Sequence, residues 1–226
     1  MMPNRRAFLL SSAGILAGSL LPSPSPAANE KVPMSASDAL KNLMDGNARF
    51  VAGQPRSHPS VSRVRELASG QAPFATVLAC ADSRVPVETL FDHEPGDIFV
   101  VRLAGNFVSD AALGSIEYAT AVLKSPLVMV LGHTSCGAVQ AAMDQVSDGK
   151  TFPGHIQTIA DAIAPAARES RHEPGDWWHN AVVANVRMAA QRLKTATPIM
   201  AQAVEHNDVH VTGGLYDLKT GAVTLV

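Results

Sequence analysis

Three apolar runs leave this chain few ways to fold. Phe74 to Ala79 and Leu127 to Leu131 are rich in β-branched and aliphatic residues, and Ile98 to Val101 repeats the pattern. A strand with one wet face alternates apolar and polar residues, so runs like these read as strands covered on both faces. A parallel sheet flanked by helices is therefore expected. The intervening segments supply the helices. Ala111 to Leu123 carries Leu113, Ile116, Ala119 and Leu123 on one face, with Thr120 a small neighbour that does not break it. Ala138 to Val146 follows the third strand, and a long helix is expected over Asn180 to Lys194. Ahead of the sheet, Ser35 to Phe50 has Leu40, Leu43 and Met44 at helical spacing behind a Ser or Asp cap, which predicts an N-terminal arm helix. A loop over Gln54 to Ser60 leads to a short helix near Ser62 to Ala68. Val209 to Thr212, a bulge at Gly213-Gly214, Leu215-Tyr216 and a Lys219-Thr220-Gly221 turn before Ala222 to Val226 read as a terminal pair with an edge strand. The class is α/β: a central, mostly parallel β-sheet flanked by helices, with an N-terminal arm helix and a C-terminal edge strand.

At 226 residues there is room for one domain with a sizeable core, and no internal repeat or linker divides it. A net charge of -2 with 17% charged residues offers no basic face for a polyphosphate backbone, which argues against nucleic-acid binding. The first residues stand apart. Arg5-Arg6 precedes Phe8-Leu9-Leu10 and a soft apolar stretch to Leu21, broken by Ser11, Ser12, Gly14 and Gly18. That stretch is too short and too weakly apolar for a membrane span, so residues 1–27 read as a signal peptide and 28–226 as the mature domain. Arg-Arg-x-Phe-Leu resembles a twin-arginine signal, which predicts export of a folded protein to the periplasm. An ordinary secretory signal that happens to contain two arginines is the alternative. No later segment looks transmembrane, so no stable membrane insertion is expected after signal removal.

The chemistry-bearing residues gather at strand ends. Cys80 closes the first strand in Cys80-Ala81-Asp82-Ser83-Arg84, while His133 and Cys136 follow the third in Gly132-His133-Thr134-Ser135-Cys136-Gly137. Ligand sites of open α/β sheets lie outside the carboxyl ends of the strands. Two thiols and an imidazole meeting there form a three-ligand zinc set with one open position. Cys80 and Cys136 are the only cysteines, and in an exported protein they equally suit a single disulfide. Asp82 with Arg84 favours the metal, because an ionised carboxylate oriented by an arginine has work to do beside a metal-bound water. On these residues alone both readings stay open.

Taken together, Cys80-Ala81-Asp82-Ser83-Arg84-Val85-Pro86 and His133-x-x-Cys136-Gly137 closely resemble the signature of the β-class carbonic anhydrases. The likeness runs from Asp45-Gly46-Asn47-x-Arg49-Phe50 through Glu94-Pro95-Gly96-Asp97, Phe99-Val100-Val101-Arg102 and Gly114-Ser115-Ile116-Glu117-Tyr118-Ala119. The resemblance implies zinc-dependent, reversible hydration of carbon dioxide to bicarbonate and a proton by metal-hydroxide attack, with one zinc ion per subunit. It makes Cys80, His133 and Cys136 the zinc ligands and Asp82 with Arg84 a catalytic dyad, and it allows Asp82 to act as a fourth ligand in a resting state. Gln71, Phe99 and Tyr118 become substrate-pocket residues shared across a dimer, and the Gly137 amide lies beside the metal. A homodimer or dimer-based tetramer is implied. Hydrolysis of carbon disulfide or carbonyl sulfide on the same scaffold is the enzymatic alternative, and a disulfide-stapled or zinc-binding domain without catalysis the other.

Two departures from the family pattern stand out: Leu103 follows the arginine where Asn is usual, and Val77 replaces the tryptophan of members with a second bicarbonate site. The second favours the simpler, water-ligated form. Arg102 is expected in a supporting ion pair ahead of substrate escort. His172 and His179, around Trp177-Trp178 in a Pro-Gly-Asp loop, are expected to serve the surface or dimer packing. Gly132 to Gly137 lacks the ending of a phosphate loop.

Overall fold

The structure, a computed structural model, describes residues 34–226. The expected signal over 1–27 and the first residues of the mature domain lie outside that span. Ser35 opens α1 (Ala36–Val51), its hydroxyl accepting the Asp38 N–H, and the helix buries Ala39 and Leu43. Ser60 caps α2 (Val61–Glu66) in the same way. There follow β1 (Ala75–Cys80), α3 (Val87–Leu90), β2 (Ile98–Leu103), α4 (Asp110–Ala121), β3 (Leu127–His133), α5 (Gly137–Asp148), α6 (Ile156–Glu169), α7 (Trp177–Thr195), α8 (Ile199–Glu205), β4 (His210–Tyr216) and β5 (Val223–Leu225).

The sheet order is β2-β1-β3-β4-β5, parallel except for β5, which pairs antiparallel at the edge. Every residue of β1 and β3 is buried, as their unbroken apolar character requires. Alternate residues serve opposite faces. Ala75, Val77 and Ala79 pack with Leu43 of α1 and with Leu90 and Phe91. Leu78, Val128 and Val130 pack with Ile116 of α4, Val186 and Leu193 of α7 and Met200 of α8. A third cluster forms at one end of the sheet, where Cys80 and Cys136 meet Val139, Ile163, Ala181 and Val182 from α5, α6 and α7. The α/β expectation holds, including the arm helix and the edge strand.

Three local expectations are corrected. Gly213 and Gly214 are not a bulge: they pair in register with Val130 and Leu131 inside β4. α7 presses on Gly213, where a Cβ would stand 2.7 Å from Val186 Cγ1, while a Cβ on Gly214 would crowd Met129, Val223 and Leu131 on the sheet. Trp177 and Trp178 are not in a loop. Asp176 accepts the Trp178 N–H and caps α7 a full turn earlier than periodicity suggested. The run from Ile98 is not covered on both faces: β2 lies at the edge of the sheet and, of its residues, Ile98 alone is buried. Periodicity also passed over α6, whose Ile163, Ala164 and Ala167 are buried but whose interior Pro165 reads locally as a breaker.

Candidate metal centre

Order β2-β1-β3 puts the chain's second strand on one side of the first and its third on the other. The connections leaving the carboxyl ends of β1 and β3 therefore diverge, and a crevice opens between them. Cys80 is the last residue of β1 and His133 the last of β3, on adjacent strands. Ser135, held at φ 57°, turns the chain back so that Cys136 returns to the crevice and starts α5. A left-handed backbone at a non-glycine residue costs on the order of 1 kcal/mol and marks a loop whose shape is imposed by its surroundings. Thr134 shows what imposes it: its N–H donates to the Tyr216 carbonyl at 2.9 Å and its hydroxyl accepts the Leu218 N–H at 3.0 Å.

The result is three buried donors, Cys80 Sγ, a His133 ring nitrogen and Cys136 Sγ, within 4.8 Å of one another. The sulfurs are 4.0 Å apart and unbridged, twice the length of a disulfide bond. His133 Nδ1 lies 2.9 Å from the Thr134 carbonyl. A carbonyl only accepts, so the proton is on Nδ1 and the Nε2 lone pair is free. That Nε2 is fully buried and has no hydrogen-bond partner among the described residues. An orphaned imidazole lone pair facing two thiols is a donor set that suits a zinc ion, with the ring oriented by its other nitrogen as metal-bound histidines are.

The thiols are electrostatically unequal. Hydrogen bonding with Cys136 pushes the Cys80 thiol down against the cost of burial, assisted by the Gly105 amide, which points at its sulfur from 3.3 Å. Gly105 adopts φ 84°, and a Cβ there would run into Ile163, so only glycine presents that N–H. Cys136 is pushed up by its hydrogen bond to Cys80, by burial and by the neighbouring charge, while the Val139 and Ala138 amides at the start of α5 act against the rise. Two adjacent thiolates without a cation repel; a divalent ion relieves that repulsion.

Asp82 stands beside this cluster, its Oδ2 3.9 Å from His133 Nε2. Arg84 grips both carboxylate oxygens, Nε to Oδ1 at 2.9 Å and Nη2 to Oδ2 at 2.8 Å, and its own N–H adds a third bond to Oδ1 at 2.9 Å. These bonds, the side-chain ones first, hold the Asp82 carboxyl well below the usual carboxylate range despite some burial. The pair is open to solvent on the arginine side, the Arg84 side chain being 56% exposed.

The structure does not bring all the remaining expected residues to this crevice: Phe99, near the start of β2, is in register with Thr76 toward the amino end of β1, and Gln71 precedes that strand. Gly137 is the first residue of α5, directly after Cys136, and is exposed. Phe99 and Tyr118 approach with ring centroids 6.3 Å apart, and Tyr118 is 48% exposed. Gln71 is exposed on the loop before β1 and makes no side-chain hydrogen bond among the described residues. Val77 is fully buried inside β1. Leu103 ends β2, packs on the α4–α7 side, and accepts the Ala81 and Asn106 N–H groups through its carbonyl. His172 and His179 are exposed. Arg102 differs from expectation: it forms no ion pair among the described residues and instead donates to the Cys80 and Asp82 carbonyls. Sequence reasoning missed three supports of the site altogether. They are the Gly105 amide, the Asn185 carboxamide that holds the Gly105 carbonyl at 2.8 Å, and the Trp178 indole on the Cys136 carbonyl. Only Trp178 left a signal, in the Asp176 cap two residues before it.

A crevice at a parallel-sheet switch point with two thiols and an imidazole defines a class of metal-dependent α/β enzyme, and comparison with known proteins narrows it. The family described as "Carbonic anhydrase" matches residues 75–223. A carbonic anhydrase of Mycolicibacterium smegmatis is 42% identical over 191 residues, spanning 80% of this chain and 92% of that protein. Among solved structures, the Coccomyxa β-carbonic anhydrase in complex with acetazolamide superposes with a TM-score of 0.66 at 27% identity, over 85% of this chain and 86% of that one. A tetrameric β-carbonic anhydrase of the ascomycete Sordaria macrospora gives 0.64 at 28% identity, over 72% and 85%. The chain belongs to the β-class carbonic anhydrase family.

Proposed function

We propose that this enzyme interconverts carbon dioxide and bicarbonate at one zinc ion per subunit, held by Cys80, His133 and Cys136. The observation that carries the reading is the orphaned His133 Nε2, turned toward two unbridged thiols beside an arginine-clamped carboxylate. Zinc in such a site supplies a Lewis acid that eases ionisation of a coordinated water. The chain's own groups direct the rest. The Asp82 carboxylate accepts a hydrogen bond from the reacting water and aims its lone pair at the substrate carbon. Arg84 keeps that carboxylate ionised and turned from the fourth ligand position. Gln71, Phe99 and Tyr118 wall the substrate pocket, and the Gly137 amide lies at the helix start where an anionic product is favoured. Stopped-flow carbon dioxide hydration, with zinc measured on the same sample, tests this. Hydration rate should scale with zinc content, and a zinc-replete protein without hydration activity would refute the assignment.

Export and assembly belong to the same proposal. Residues 1–27 act as a twin-arginine signal for a periplasmic domain over 28–226, which lets zinc protect the thiols before they meet an oxidising compartment. Changing Arg5 and Arg6 to Lys should leave active enzyme in the cytoplasm; normal periplasmic recovery on fractionation would count against this signal. The working unit is a homodimer or a tetramer built from dimers, in which exposed Gln71 and Tyr118 complete a neighbour's pocket. Sedimentation at assay concentration should show a dimer or a multiple of it, and a fully active monomer would overturn the shared pocket. Among the described residues no helix is long and apolar enough to cross a membrane.

A further inference from the structure

We propose that Arg102 is a positioning residue that sets the Cys80–Asp82 segment by bridging the carbonyls on either side of Ala81. Arg102 lies on β2 opposite Ala79, one residue short of the end of the β1–β2 ladder. Its Nε donates to the Cys80 carbonyl at 3.0 Å and its Nη2 to the Asp82 carbonyl at 2.6 Å. The Leu103 carbonyl takes the Ala81 N–H at 3.1 Å, so three backbone groups of the segment are tied to β2. A guanidinium is a planar, preorganised fork, and two carbonyls two residues apart at a strand end are a matching pair of acceptors.

The consequence falls on a zinc ligand and on the catalytic carboxylate together. Asp82 is held at both ends by arginines: Arg84 grips its carboxylate and Arg102 its carbonyl. Without Arg102, the residues after the strand keep only the Ala81 N–H bond to β2, and the Asp82 carbonyl keeps only the local turn bond from the Val85 N–H at 3.0 Å. Cys80 Sγ and the Asp82 carboxylate then lose the shared register that keeps one on the metal and the other beside it. Outer bonds of this kind change metal affinity or activity by about 10- to 100-fold when removed. Arg102 is exposed, so its truncation removes the fork without opening a cavity in the core.

This inference rests on the zinc reading above, and the test separates the two. Wild type, Arg102→Met and Arg102→Lys are compared as zinc-loaded full assemblies. Three readouts are taken: zinc release to a chromogenic chelator, kcat and KM for hydration, and thermal midpoint. Arg102→Met should release zinc about tenfold faster and lose about tenfold in kcat, with KM within about twofold and little change in midpoint. Millimolar guanidinium should restore part of both losses, because the free ion offers the same donors. Arg102→Lys, with one point of donation in place of two, should fall between. Wild-type zinc release and kcat in Arg102→Met would overturn the proposal. So would full restoration by Lys, which would mean that charge alone matters, or a loss that follows a lowered midpoint and ignores guanidinium. A wild type that binds no zinc would overturn the metal reading and this inference with it.

Discussion

The Trp178 indole N–H donates to the Cys136 carbonyl at 3.2 Å, joining the first turn of α7 to a metal-site cysteine 42 residues earlier. Cys136 caps α5, so its carbonyl also receives the Gln140 N–H, and the indole fills the oxygen's second lone pair. The bond clamps the return of the His133–Cys136 loop from outside. Asp176, one turn-cap earlier, sets the direction of the helix start that makes the reach possible.

Replacing Trp178 with Phe retains most of the ring packing and removes only the donor. Stability should fall by about 1 kcal/mol, the usual net worth of one hydrogen bond, while zinc affinity falls about tenfold. Denaturant melts of the metal-free protein and zinc competition titrations measure the two separately. Unchanged zinc affinity would show that the loop is held without the indole.

Ligand and carboxylate substitutions should separate binding from turnover. Cys136→Ser should lose most bound zinc, because the hydroxyl is a far poorer ligand than a thiolate. Asp82→Asn should retain zinc but lose most turnover, since the amide cannot hold the reacting water as a carboxylate does. The checks are metal analysis after dialysis and stopped-flow hydration. Full zinc occupancy in Cys136→Ser, or full activity in Asp82→Asn, would remove that residue from its assigned role.

Acid stability should depend on Asp92, which is not part of the candidate metal centre. Its side chain is completely buried and accepts from the Arg49 guanidinium and from the Arg56 and Ser57 N–H groups at 2.9 and 2.8 Å. Burial raises its carboxyl, but the Ser57, Arg49 and Arg56 bonds outweigh that and leave it lowered overall. A carboxyl lowered on folding stabilises the native state fully above its unfolded pKa of about 3.9, and that contribution is lost as pH falls through the lower folded value. Wild type should therefore lose this share of its stability below about pH 4. Asp92→Asn, which tolerates the positive φ here, should cost about 3 kcal/mol at pH 7 and show a shallower acid slope. Urea midpoints measured from pH 3 to pH 7 decide it; parallel curves for both proteins would exclude Asp92 as the source.

What the sequence made legible follows from local physics. The runs 74–79 and 127–131 announced strands covered on both faces because strand periodicity is two and neither face is polar. Ser35 announced α1 through its cap. Cys80, His133 and Cys136 were readable because metal-site residue types at strand ends sit where an α/β sheet gathers its ligands. α6 escaped because a proline inside it mimics a boundary, and Gly213-Gly214 was misread because the sequence does not show α7 pressing on Gly213 or the strand side chains crowding Gly214.

The sequence by itself determined the class of fold, the places of the strands and of most helices, and the three donors with their Asp82–Arg84 neighbour. Tertiary structure alone decided that the thiols stand 4.0 Å apart without bridging, that the His133 proton sits on the Thr134 side, and that Arg102 serves carbonyls and not a carboxylate. It also brought Trp178, Asn185 and Gly105 to the site from positions 25 to 105 residues away from Cys80 in the chain. The physical reason is a difference of range. Periodicity, caps and turn chemistry act over a few residues and are written into composition and spacing. A hydrogen bond to a backbone carbonyl carries no such mark, since every residue presents the same carbonyl, and only the packing of α7 and β2 against the ends of β1 and β3 selects which one is used.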